Sequence, residues 1–160
     1  MGKGFLVPDT KEVSRMLTFL LGREVKVAKG SRIRTGARDH WTLGVFVAED
    51  GTVVGLCATD FPLAANSGAA LSLFPPHIAK ACIDSNEIEE SLWENTLEVY
   101  NVVSRFFHDA HDGMIQLGTT YKSGADVPKE VKKYMRRSKR RVDLRVNISG
   151  YGSGSLALMG

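Results

Sequence analysis

The sequence predicts an α/β (α+β) domain: a mostly antiparallel sheet with two long helices packed on it. Three observations carry that expectation. Apolar residues recur at helical spacing over 9–22, 60–74 and 87–107, whereas 23–28 and 141–148 alternate polar with apolar, as half-buried strands do. Glu49-Asp50-Gly51 and the glycine-rich stretch 149–154 join apolar segments through hairpin chemistry, which pairs strands antiparallel. At 160 residues the chain suits one domain, 1–160, with a sizeable core.

The elements follow in order. Asp9 to Gly22 reads as the first helix, with Asp9 as cap, Glu12 at capping-box spacing and Gly22 as its end. Its apolar stripe is Val13, Met16, Leu17, Leu20 and Leu21. A strand follows over Arg23–Ala28, and then a basic loop from Gly30 to Asp39 with Arg32, Arg34 and Arg38. His40–Ala48 and Thr52–Ala58 form a hairpin around the Asp-Gly turn. Asp60–Phe74 is a helix capped by Asp60, with Pro62 tolerated in the first turn and Pro75-Pro76 as its stop. Its small-residue strip, Ala65, Gly68, Ala69 and Ser72, is expected to face the next long helix. His77–Ile83 is a short helical piece whose Asp84-Ser85 can cap that helix.

The central stretch is Glu87–Phe107, expected as one amphipathic helix of about six turns. Leu92, Trp93, Thr96, Leu97, Val99, Tyr100, Val103, Phe106 and Phe107 fall on its apolar side, and Glu87, Glu94, Glu98, Asn101 and Arg105 on a narrow polar arc. His108–Gly113 is a polar turn and Met114–Lys122 a strand. Pro128 opens a short basic helix to about Met135. Arg141–Ile148 and Ser155–Met159 close the chain as strands.

Composition excludes several classes. Hydrophobic residues at 43% and charged residues at 24% are ordinary for a globular protein. No apolar run approaches the roughly 20 residues of a membrane span. The start, MGKGFLVP, lacks a signal peptide's apolar core and the Ser/Thr of a myristoylation signal. A soluble, cytoplasmic protein is expected. Cys57 and Cys82 stand 25 apart without a CxxC, so they are read as buried thiols rather than zinc ligands.

Net charge is +3, yet Lys129–Arg141 carries eight bases and one acid, leaving −4 for the remainder. Such a run is a footprint for an acidic partner. Its only aromatic is Tyr134, so it lacks the interleaved stacking residues of a single-strand platform, and nucleic acid is not the expected partner. GYGSG joins two strands instead of opening a helix, so it is a turn and not a phosphate loop. HDAHD at 108–112 is read as a polar helix-end turn able at most to take a metal adventitiously.

The candidate site is Glu98-x-x-Asn101. Three residues apart, both side chains leave a helix on one side. A carboxylate beside a carboxamide can pair with a partner's cation while orienting a water, without a metal or a large pKa shift. Glu94 and Arg105 on the same arc, with Lys132, Lys133 and Arg136 of the basic run, complete the expected partner-binding set.

The layout, with LLGREVKV at 20–27 and LEVYN at 97–101, resembles the CheC/CheX-type chemotaxis phosphatases, and CheX most, because one Glu-x-x-Asn is present rather than two. The resemblance implies a CheX-like fold and hydrolysis of the aspartyl phosphate on a response-regulator receiver domain. It implies that Asn101 orients the attacking water and that Glu98 pairs with a lysine of the partner. It implies no cofactor of its own, the Mg2+ being held by the receiver. A second copy of the chain is a further candidate partner. Where the family often has Asp or Ser four before the glutamate, this chain has Glu94, and Arg105 stands where a small glycine is frequent. Three glutamates on one arc would repel a phosphorylated site. The alternative is therefore a protein-binding module of the same fold that has lost catalysis.

Overall fold

A computed structural model describes residues 5–110 and 113–160. Among these residues, five α-helices accompany one six-stranded sheet in the order β1-β5-β6-β3-β2-β4, with every neighbouring pair antiparallel.

Helix α1 (Thr10–Leu21) begins as its sequence dictates. The Glu12 amide donates to Asp9 Oδ1 at 2.8 Å, and the Asp9 amide donates back to Glu12 Oε1 at 3.5 Å. Gly22 closes the helix at φ 66°, in the left-handed region that suits glycine. Asp9→Ala leaves an orphan amide and should cost about 1 kcal/mol, read as a fall of about 2–4 °C in Tm; an unchanged melt would show that the box adds nothing. Val13, Leu17 and Leu21 are buried, and Ser14 Oγ donates to the Val25 carbonyl at 2.6 Å, tying α1 to β1 (Val25–Lys29).

Strands β2 (Trp41–Ala48) and β3 (Val53–Asp60) form the expected hairpin. Asp60 caps α2 (Phe61–Leu71), its Oδ1 accepting from the Leu63 amide at 2.9 Å. Apart from half-buried Pro62 and Leu71, all of α2 is buried, polar Asn66 and Ser67 included. It stops three residues earlier than the spacing predicts: Leu73 turns into the left-handed region at φ 57°, and the Leu73 and Phe74 amides close the helix on the Ala70 and Ala69 carbonyls. Helix α3 (Pro76–Ser85) ends at Asn86, which adopts φ 56°.

The long helix is shorter than expected. Helix α4 spans Glu90–Val103, and Ser104–Ala110 tightens into a 3-10 segment. The turn at Asn86 leaves Glu87 outside α4, so the polar arc of the helix itself contains Glu94, Glu98 and Asn101. The tightened segment sets Phe107 between Phe5, stacked at 4.3 Å, and Phe46, at 4.8 Å. Aromatic packing has thus overridden helical propensity there.

Strand β4 (Ile115–Tyr121) takes the edge beside β2. Helix α5 spans Lys129–Arg137, and β5 (Arg141–Ile148) pairs with β6 (Gly152–Met159) across the turn at 149–151. The hairpin is as expected, but its turn is shorter: Gly152, Ser153 and Gly154 already pair with Ile148, Asn147 and Val146 inside β6.

The sheet separates two cores. On one side Phe46, Cys57, Leu144, Val146, Ile148, Leu156 and Leu158 meet α1, α2 and α4. On the other, Trp41, Leu43, Val45, Leu56 and Ala58 meet Met135, Val131 and Tyr134 of α5, together with Ile33 and Val127. Alternation along each strand assigns successive residues to opposite layers. The basic helix therefore lies on the sheet face opposite α4.

That second face holds a fixed ion pair. Arg141 Nε donates to Asp143 Oδ2 at 2.8 Å and Nη2 to Oδ1 at 2.9 Å, while the Ile33 amide donates to Oδ1 at 2.9 Å. Burial alone would raise the Asp143 carboxyl. The hydrogen bonds from Arg141 and Ile33, with the charges of Arg141 and Arg32, outweigh it and hold the group below the ordinary carboxylate value. A depressed folded pKa gives stability that is present above the unfolded value and lost as pH falls through the folded one. The stability gap between wild type and Asp143→Asn should therefore shrink on acidification below roughly pH 5, measured by urea unfolding at several pH values. A gap independent of pH would contradict this.

Candidate functional site

Buried contacts fix the rotation of α4. Thr96 Oγ1 donates within 2.9 Å of the Ala64 carbonyl and 3.0 Å of the Leu92 carbonyl. The Tyr100 hydroxyl reaches through to the sheet, hydrogen-bonding Thr42 and lying 3.4 Å from Thr59 Oγ1. Burial pushes that phenol far above its ordinary value, so it remains a neutral hydrogen-bonding group. Asn95 Nδ2 donates to the Gly68 carbonyl at 2.9 Å and to Ser72 Oγ at 2.7 Å. These contacts anchor α4 on α2 through the small-residue strip, as the strip's composition predicts. A Cβ built on Gly68 would lie 2.4 Å from the Leu92 carbonyl oxygen.

With Thr96, Val99, Tyr100 and Val103 turned inward, Glu98 and Asn101 point to solvent. Asn101 Nδ2 donates to Glu98 Oε1 at 3.4 Å. That contact turns the amide so that its Oδ1 is left to accept from an external donor. Ser104 Oγ donates to the Asn101 carbonyl at 2.5 Å and steadies the backbone where α4 passes into the 3-10 segment. The pair is thus rigidly mounted, side by side and accessible.

Of the other residues expected at the site, Glu94 is exposed one turn before Glu98, and Arg105 is exposed one turn after Asn101. Lys132, Lys133 and Arg136 lie on α5, across the sheet. They do not share a surface with the Glu98–Asn101 pair.

Phe19 escaped notice in the sequence because it stands off the apolar stripe of α1. It is 88% exposed, and with Met16, Leu20, Val102 and Arg105 it lines a groove of about 580 Å³. Arg105, one turn after Asn101, also lines this groove with Glu12 and Arg15, so the groove adjoins the arc that carries the pair. The available signal was an aromatic outside the helical stripe.

Cys57 and Cys82 are buried and unpaired, and burial pushes the Cys57 thiol well above its ordinary value, which argues against a nucleophile. His108 is exposed at the end of the 3-10 segment, and His111 and Asp112 lie outside the described residues. Among the described residues, no three His, Cys, Asp or Glu side chains cluster as metal ligands, and no helix is long and apolar enough to cross a membrane.

No family model matches the chain, and no curated protein matches it in sequence. Solved structures do. The FliM middle domain from Vibrio alginolyticus is similar at a TM-score of 0.59 and 8% identity, over 94% of this chain and 87% of that one. FliM from H. pylori, in a complex with FliG, aligns at a TM-score of 0.55 and 11% identity, over 94% and 85%. CheX from Borrelia burgdorferi, in a complex with CheY, BeF3 and Mg2+, aligns at 0.50 and 13% identity, over 94% and 97%. The chain therefore has the CheC/CheX-type fold, which the FliM middle domain shares.

Proposed function

We propose that this chain is a CheX-like phosphatase acting on the aspartyl phosphate of a response-regulator receiver domain. The observation that carries the reading is the geometry at Glu98 and Asn101: an exposed carboxylate and amide 3.4 Å apart on a helix whose rotation buried contacts fix.

The chemistry follows from the groups. An amide oxygen is too weak a base to take a proton in the way a carboxylate can. It can accept a hydrogen bond from a water and so aim the water's lone pair at phosphorus. Phosphoryl transfer asks for that kind of positioning. Glu98 both turns the amide and offers its charge to a partner lysine. The Mg2+ belongs to the receiver, whose own acidic site holds it; this chain supplies only the helix inserted there. Such a reaction takes place in the cytoplasm, where receiver domains work. The CheX–CheY complex supports a receiver domain as partner. The experiment adds purified protein to a phosphorylated receiver and follows phosphate loss. No acceleration with any receiver of the host would sink the reading.

A second reading is a protein-binding module without catalysis. The exposed Phe19 groove beside the pair favours it, as does the similarity to a FliM found with FliG. It predicts a stable complex and an unchanged phosphate lifetime.

A further inference from the structure

We propose that the cavity between the 30–40 loop and α5 binds a small phosphate-bearing anion. This site lies on the sheet face opposite Glu98 and Asn101 and stands whether or not the chain is a phosphatase.

Four cations converge there: Arg32 from the loop, Lys132 and Arg136 from α5, and Arg141 from β5. Thr35 adds a hydroxyl, and buried Trp41 lines the cavity. No carboxylate is among the lining residues. Asp143 neutralises Arg141 and fixes its guanidinium in place through two hydrogen bonds. Arg141 Nη1 also donates to Met159 Sδ at 3.4 Å. One further N–H on each terminal nitrogen remains for a ligand, since a guanidinium carries about five donors.

Gathering Arg32, Lys132 and Arg136 around one cavity sets like charges against each other, a cost that a bound anion reverses. Guanidinium groups match phosphate oxygens two at a time, which gives this lining geometric as well as electrostatic selectivity. At about 180 Å³ the cavity is smaller than the roughly 300–1,000 Å³ of pockets for drug-sized ligands. That size suits a phosphate group on a small substituent. The cations converge on a depression instead of tracking along a surface, and the run's one aromatic, Tyr134, packs into the core below, so a nucleic-acid strand fits less well.

Isothermal titration with sodium phosphate and with glycerol phosphate, against sodium chloride at equal ionic strength, tests the site. Saturable binding of both phosphates and none of chloride is expected. Inorganic phosphate binding with no glycerol phosphate binding would still support an anion site, limiting it to the free ion. Arg32→Gln and Arg136→Gln should each weaken phosphate binding about tenfold, while Lys80→Gln on exposed α3 should not. Circular dichroism would verify that each variant is folded. No saturable binding overturns the proposal, as does equal weakening by Lys80→Gln, which would mean diffuse attraction to a basic surface. Binding of a single-stranded oligonucleotide with none of either phosphate overturns it in favour of nucleic-acid contact.

Discussion

If the chain is the phosphatase proposed above, replacing Asn101 by alanine is expected to slow the accelerated loss of phosphate from a receiver domain by about 100- to 1,000-fold, the scale of deleting one positioned polar group at a reacting centre. The rate should approach that of the receiver alone. Asn101 is exposed and, among the described residues, its side chain bonds Glu98 alone, so Tm should stay within about 2 °C. Glu98→Lys should act differently. It places a cation where the partner's lysine would dock, so the main effect is on the concentration needed for half-maximal rate. A wild-type rate surviving Asn101→Ala would remove the amide from the mechanism. Complex formation without any acceleration would favour the binding module.

Gly68→Val should be strongly damaging, costing about 3 kcal/mol. A Cβ there falls 2.4 Å from the Leu92 carbonyl oxygen and 3.1 Å from Thr96 Oγ1. The nearer atom is helix backbone, which cannot swing aside as a flexible side chain would. Relief requires α4 to move off α2, breaking the Thr96–Ala64 and Asn95–Gly68 hydrogen bonds. A fall in Tm on the order of 10 °C is expected, with loss of any activity that depends on Asn101. A normal melt would show that the helix–helix contact is looser than these distances require.

Much of the site could be read from the residue order. Helical periodicity put Tyr100, Val99 and Thr96 inward and Glu98 and Asn101 outward, and the structure agrees. The small residues of α2 announced a close helix neighbour, and Gly68 receives one. The ends of α4 were not legible. Glu87 and Arg105 fit the same arc as Glu98, but Asn86 adopts the left-handed conformation and the chain tightens after Val103 to bring Phe107 against Phe5 and Phe46. The stacking partners are about 60 and 100 positions away, beyond the reach of any local window.

What the sequence determined by itself was local: the capping box at Asp9 and Glu12, the Asp60 cap, the hairpin at Asp50-Gly51, and the face each helix buries. Each depends on groups within about four residues, where backbone geometry leaves few alternatives. Tertiary structure alone decided that Val25 pairs with Ile148 and that Lys132 and Arg136 sit across the sheet from Asn101. Alternation along a strand says which residues share a side, but not which helix covers that side. That choice is made when distant apolar surfaces are removed from water together.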